Sequence, residues 1–294
     1  MRIGLVGAGA VGQSVGALLV ESGWCRELLV ASGSEVSACG LVTDLEDLTQ
    51  ITGSPVRVTV AAPQAMGACD ALVLSPRARF ANTARADVRM AGLAANAPVI
   101  AALAREFTGY TGVAVMVTNP VDICARLFAE RSGCTRVLGI GSATDTARYR
   151  LTLARLLRVP VGAVRGHVIG EHGDAAVICA STTTVHGDPA AVPVQRVRDE
   201  LAARPRRISD GIGRTRSGPA GAVLAALVHA LGLVDGVTEL SVRQEEGVYL
   251  GVPVQYTAGT PSLCPPPLDP SETAQLNAAT EKLHHVYAQL NEEI

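Results

Sequence analysis

Apolar residues in the first half of the chain fall into short, nearly continuous runs rich in Val, Leu and Ile, at residues 3–6, 28–31, 56–60, 71–74, 113–117 and 137–140. Longer amphipathic stretches, such as 11–21, 93–107 and 122–131, separate most of them. Runs of this length without alternation predict strands buried on both faces, and the stretches between them predict helical crossovers. Such units build a parallel sheet, and six of them suit a doubly wound α/β architecture. From about residue 142 the pattern changes. A helical period covers 145–157, then come strand-like runs at 164–169 and 176–181, and helical stretches at 194–203 and 220–233. A hairpin-like pair follows at 237–242 and 247–254. Asp269, Pro270 and Glu272 mark the start of a closing helix, with Leu276, Leu283, Val286 and Leu290 on its buried face. The chain is expected to form two domains, 1–142 and 143–294, sharing a cleft.

Composition narrows the function classes. The net charge is −2, so nothing in it attracts a polyanion, and nucleic acid is not an expected partner. The longest apolar stretch, 219–234, contains His229 and is shorter than the roughly 18 residues a membrane span needs, so it predicts a buried helix. Seven cysteines without a CxxC pair predict reduced thiols in a cytoplasmic protein, with neither a disulfide framework nor a metal site. Lys282 is the sole lysine among 25 basic residues. Codon bias accounts for most of that excess of arginine. Some of those guanidiniums can still be there to hold a carboxylate or phosphate, which their planar fork does better than an ammonium.

Gly7-Ala8-Gly9-Ala10-Val11-Gly12 follows the first strand and opens the first helix. In such a turn the first glycine permits the bend, the second lets backbone approach a pyrophosphate, and the third lets helix pack on strand. The helix N-terminus adds amide donors and positive dipole. Gly7, Gly9, Ala10, Val11 and Gly12 are therefore candidate cofactor contacts, and 1–142 reads as a dinucleotide-binding Rossmann domain. An NAD site usually has an acid at the end of the second strand, and here that position is Ser32. Ser32, Gly33 and Ser34 offer donors, and no carboxylate, to a 2′-phosphate. Against that, Val36 stands where an arginine would favour NADP, and Glu35 is an alternative ribose ligand or a solvated turn residue. The cofactor is read as NADP or NAD, with a slight lean to NADP.

Three more clusters follow in order. Val117-Thr118-Asn119-Pro120-Val121-Asp122 lies at the C-terminal end of the fifth strand, where open parallel sheets bind ligands. Asp145 and Arg148 share one helix face. Val168-Ile169-Gly170-Glu171-His172-Gly173-Asp174 sets a histidine among glycines at a strand end. With the glycine turn before them and Gly247-Val248-Tyr249-Leu250-Gly251-Val252-Pro253-Val254 after, these motifs resemble the lactate/malate dehydrogenase family over almost the whole chain. The sequence around His172 is nearest the lactate-dehydrogenase-like branch. The resemblance implies a Rossmann sheet with a second α+β substrate domain, and NAD(P)-dependent interconversion of a 2-oxo acid and a 2-hydroxy acid. It implies His172 as the acid/base, and Asp145 orienting its imidazole and raising its pKa. Arg148 would clamp the substrate carboxylate, and Asn119 would hydrogen-bond substrate and position cofactor. It further implies a homodimer or homotetramer, built through the helix containing Asp44 and Leu45. His167, His186, His229, His284 and His285 read as structural.

One segment departs from the family pattern. Where the family continues from the fourth strand into Thr-Ala-Gly, this chain has Ser75-Pro76, then Arg77, Arg79, Arg85 and Arg89 before the next helix. The missing glycine puts the family's backbone contact to the cofactor in question. Counting back from Asn96 makes Arg89 the catalytic loop arginine, whereas the local Arg85-x-Asp87 pattern makes it Arg85. Arg89 is favoured. The substrate-selecting position is then Thr83, or Arg79 under the other reading, with Ser217 on the opposite wall. Four arginines suggest a substrate with a second anion, carboxylate or phosphonate, and the competing explanation is a solvated cationic loop. The other readings are an ordinary malate or lactate dehydrogenase and a non-catalytic dinucleotide sensor.

Overall fold

The computed structural model describes residues 1–80, 87 and 89–293. Each apolar run of the first half becomes a strand: β1 (Arg2–Val6), β2 (Glu27–Ala31), β3 (Arg57–Val60), β4 (Ala71–Leu74), β5 (Val113–Met116) and β6 (Val137–Gly139). The helices α1 (Ala10–Val20), α2 (Glu35–Thr52), α3 (Leu93–Glu106) and α4 (Val121–Ser132) connect them. The strands pair in parallel in the order β3-β2-β1-β4-β5-β6, which reverses direction between β1 and β4. That reversal opens a crevice at the carboxyl ends of the strands. Leu5, Leu28, Leu72, Val73, Val113 and Val115 are fully buried, which is why these runs lack polar alternation.

The second half adds α5 (Gly141–Leu157), β7 (Val164–Arg165), β8 (Val168–Gly170), β9 (Ala176–Ile178), β10 (Thr184–Val185), β11 (Asp188–Pro189), α6 (Val194–Ile212) and α7 (Ser217–Ala230). It ends in β12 (Gly236–Arg243), β13 (Tyr249–Thr257), β14 (Thr260–Leu263) and α8 (Pro270–Glu293). The β12–β13 hairpin is antiparallel and bridges two parts of the molecule. Ser241 pairs with Gly139 of β6, and Gly251 pairs with Gly170 of β8. Among the described residues the main sheet therefore continues past residue 142, and the ends of β6 and β8 lie on either side of one hairpin. This places the start of α5 beside the turn after β8.

Two expectations need correction. The run 164–169 is not one strand: β7 joins a small sheet with β10 and β11, and β8 joins the main sheet. The change falls at Gly166, where a Cβ would come 2.5 Å from the Thr183 hydroxyl and 2.7 Å from the Tyr149 ring. The stretch 194–203 is helical for nine residues more, through Pro205. Arg207 donates twice to Glu200 at 2.9 and 3.1 Å, and this pair spans the turn the proline weakens. At the chain's end, Glu272 N–H donates to Asp269 and Asp269 N–H to Glu272, at 2.8 and 3.2 Å, a reciprocal cap on α8. Among the described residues no helix is long and apolar enough to cross a membrane.

Candidate active site

The β1–α1 turn is shaped by contacts that exclude side chains. Gly7 has φ +113°, and a Cβ there would lie 2.6 Å from the Ser75 carbonyl. A Cβ on Gly12 would lie 1.8 Å from the Gly7 carbonyl, so helix and turn could not approach as they do. Ser75 fastens the turn by donating to the carbonyls of Val6 and Gly7 at 3.2 and 3.3 Å. Gly9 is different: a Cβ there would meet no protein atom within 4 Å, and no side chain caps α1, which starts at Ala10 and Val11. Unclaimed first-turn amides facing open space are the arrangement a dinucleotide pyrophosphate fits. At the end of β2, Ser32 is half-buried, while Gly33, Ser34 and Glu35 are exposed. The Ser34 hydroxyl accepts from Ser37 N–H at 3.4 Å, capping α2, so it is partly committed to the helix.

At the carboxyl end of β5, Asn119 leads through a cis peptide into Pro120 and α4. The Asn119 side-chain oxygen is buried and, among the described residues, accepts no hydrogen bond. Asn96 ties this turn to the segment after β4. Its amide donates to the Asn119 carbonyl at 2.8 Å, and its oxygen accepts from Ala78 N–H at 2.9 Å.

The ionisable groups gather where α5 meets the turn after β8. His172 Nδ1 lies 2.5 Å from Asp145 Oδ2, and both side chains are nine-tenths buried. The other Asp145 oxygen lies 3.4 Å from Arg89 and 3.6 Å from Arg148. At 3.6 Å the Arg148 contact is too long for a hydrogen bond, so its fork keeps its donors for something else. Gly141 makes room for the histidine: a Cβ there would lie 2.3 Å from the imidazole. With Nδ1 held by Asp145, Nε2 is the nitrogen left to exchange a proton.

Burial alone would raise the Asp145 carboxyl, but the positive charges of His172, Arg89 and Arg148 hold it at about 2. For His172 the sequence led us to expect an upward shift from Asp145. The direction is the reverse: burial, reinforced by Arg89, pushes the imidazole below its usual value and outweighs the carboxylate.

Several residues that the motifs contained without revealing their roles support this corner. Asp122 accepts the His172 backbone N–H at 2.8 Å and the Ser241 hydroxyl at 2.5 Å, and burial pushes its carboxyl up to about 7. Buried Glu171 takes Lys282 at 2.8 and 3.0 Å. Lys282 also reaches Asp87 at 2.5 Å, and Asp87 N–H donates to Asp174 at 2.7 Å. The chain's one lysine thus ties α8 to the histidine's turn and to a residue two positions before Arg89.

Among the sequence candidates, His172, Asp145, Arg148 and Arg89 come together. Arg79 is exposed on the segment after β4, and Ser217 is the exposed first residue of α7. Arg85 and Thr83 lie outside the described residues.

Comparison with known proteins gives a consistent outcome. Residues 1–139 match the model of the lactate/malate dehydrogenase NAD-binding domain. The L-lactate dehydrogenase of Staphylococcus saprophyticus is 30% identical over 192 residues, covering 64% of this chain but only 59% of that protein. L-lactate dehydrogenase 1 of Bifidobacterium longum is 29% identical over 303 residues, 95% of each chain. The crystal structure of Cryptosporidium parvum malate dehydrogenase superimposes with a TM-score of 0.89 over 99% of this chain and 100% of that one, at 22% identity. That likeness bears on the fold. The match to the family model runs from the first strand through the glycine turn to β6, and alignment with a relative continues nearly to the end of the chain, so residues 1–139 carry the NAD-binding domain of the lactate/malate dehydrogenase family and the remainder is similar to a member of it.

Proposed function

We propose that the protein is an NAD(P)-dependent oxidoreductase that interconverts a 2-oxo acid and a 2-hydroxy acid, and that its substrate carries a second anionic group. The buried His172–Asp145 pair, with Arg89 and Arg148 drawn to the same carboxylate, carries the reading. A proton donor and two anion-binding forks in one place are what reduction of a 2-oxo acid needs.

When bound, the nicotinamide supplies or accepts the hydride. Arg148 holds the substrate carboxylate through paired hydrogen bonds and fixes the reacting carbon. Arg89 polarises the carbonyl oxygen, and His172 Nε2 gives that oxygen its proton. Asp145 keeps the imidazole oriented and stabilises its charged form. In the free site burial and the charge of Arg89 disfavour the protonated form of His172. A carboxylate arriving at Arg148 offsets that positive charge, so substrate binding favours protonation at the moment the acid is required. The unpaired Asn119 oxygen is an acceptor for a donor group on cofactor or substrate.

The finer assignments are part of this proposal. Ser32 in place of an acid supports NADP alongside NAD, and Ser34 contributes less because it caps α2. The nucleotide sits in 1–142, the substrate is shared with 143–294, and a homodimer or homotetramer in the cytoplasm is the expected form. Arg79 and Ser217 would line the side-group pocket. Ordinary L-lactate dehydrogenase activity is the second reading, and the names of the relatives favour it. A grid of NADH and NADPH against pyruvate, oxaloacetate, phosphonopyruvate and branched or aromatic 2-oxo acids tests the proposal. It expects strong turnover with a dianionic 2-oxo acid. No turnover anywhere in the grid would overturn it.

A further inference from the structure

The segment after β4 faces the turn before α7 across a cavity of about 620 Å³, lined by Arg77, Ala78, Arg79, Phe80 and Arg214. Three of these five residues are arginines, and none of the three is ion-paired with a carboxylate among the described residues. Other arginines of the chain are ion-paired, Arg57 with Glu27, Arg126 with Glu130, Arg150 with Glu239 and Arg207 with Glu200, while what sets these three apart is that they line one space together. Codon bias explains arginine in place of lysine. It does not explain three guanidiniums around one space without an acid.

The cluster is also held in position. The Arg77 guanidinium stacks on the Phe80 ring, 4.5 Å from its centroid. Phe80 in turn rests on Gly92, where a Cβ would lie 2.8 Å from the ring. Burial and the nearby charge of Arg214 both disfavour the charged form of Arg77. Through Ala78 and Asn96 the segment is one side chain away from Asn119, and Arg214 stands three residues before Ser217. The cavity wall is thereby joined through one side chain to the Asn119 turn.

We propose that Arg77, Arg79 and Arg214 form a subsite for the distal group of the substrate, and that this group is a phosphonate or phosphate. The inference rests on the 2-oxo acid reading above and specifies its second anion. A carboxylate offers two oxygens and one charge, enough for one fork. A phosphonyl or phosphoryl group offers three oxygens and nearly two charges, which three guanidiniums from two walls can share.

The test compares wild type with Arg214→Gln and Arg77→Gln in the full chain, using phosphonopyruvate, oxaloacetate and pyruvate with each cofactor. Both arginines are exposed, and thermal melting checks that the variants fold. The preference for phosphonopyruvate over pyruvate, as a ratio of kcat/KM, should fall about tenfold to a hundredfold in each variant, mainly through KM. Arg214→Lys should restore part of it. A wild type that prefers oxaloacetate to phosphonopyruvate would overturn the proposal. So would variants in which cofactor KM rises equally with all three acids, since the cations would then serve the dinucleotide's own phosphates. If wild type reduces none of the acids, the 2-oxo acid reading fails by itself. Calorimetry with phosphonoacetate then decides the subsite: a tenfold weaker affinity in Arg214→Gln supports it, and equal affinity overturns it.

Discussion

The charges around His172 are matched by opposite charges inside the protein, whereas Arg77, Arg79 and Arg214 have no carboxylate partner among the described residues. Asp145 is matched by His172, Arg89 and Arg148, Glu171 by Lys282, and Asp122 by Ser241 and the His172 backbone. Those groups are buried, and a buried charge without a partner costs several kcal/mol, so the carboxylates are matched before any ligand arrives, while the donors of Arg148 are left for the substrate. The arginines on the outer wall are largely exposed to water and carry a smaller penalty. They can remain unpaired until an anion binds. The comparison suggests a division of labour: the chemistry is built into the folded core, and the choice of substrate is left to the surface.

The largest test of that division is His172→Asn. It removes the proton donor but keeps a polar group beside Asp145, so kcat for 2-oxo acid reduction should fall on the order of a thousandfold. Thermal stability should change little. Unchanged turnover would show that the core is not where the chemistry lies.

The pH profile comes next. Because burial and Arg89 lower the His172 pKa, the proton needed for reduction is lost at a lower pH than from free imidazole. kcat/KM for reduction should therefore fall as pH rises through a midpoint below about 6.5, and kcat/KM for oxidation should rise. Arg89→Gln removes one of the depressing charges, so an imidazole NMR titration should find the His172 midpoint moved upward. A midpoint unmoved or lowered would contradict the assignment.

Lys282→Met should reduce kcat/KM about tenfold and stability by about 2 kcal/mol, since Glu171 is left buried without its cation. Lys282→Arg should recover most of both, as seen in kinetics and thermal melts. The smallest effect belongs to Ser34→Ala. Losing a long 3.4 Å cap should cost about 0.5 kcal/mol. The ratio of NADPH to NADH use should move less than about threefold if capping is its main role.

The sequence showed most clearly what local pattern or an unbroken motif encodes. Strands buried on both faces must be continuous apolar runs, so β1 to β6 were visible, as was the glycine turn, whose steric logic is local. Asp145 and His172 were marked by motifs, and their proximity follows from hairpin β12–β13 pairing with both β6 and β8. What was hidden is non-local. Lys282 meets Glu171 and Asp87 across more than a hundred residues, and no periodicity signals that. The direction of the His172 shift depends on Arg89 lying beside it, which spacing cannot show. Arg214 carried no signal at all until the fold set it opposite Arg77 and Arg79.

The comparison between core and surface is decided most directly by one experiment on the unmodified protein: kcat/KM for phosphonopyruvate, oxaloacetate and pyruvate side by side with the better cofactor. Arginine-guided selection predicts that a dianionic 2-oxo acid exceeds pyruvate by about a hundredfold, the effect of two charge-assisted hydrogen bonds. Pyruvate turned over as well as or better than either dianion would contradict it.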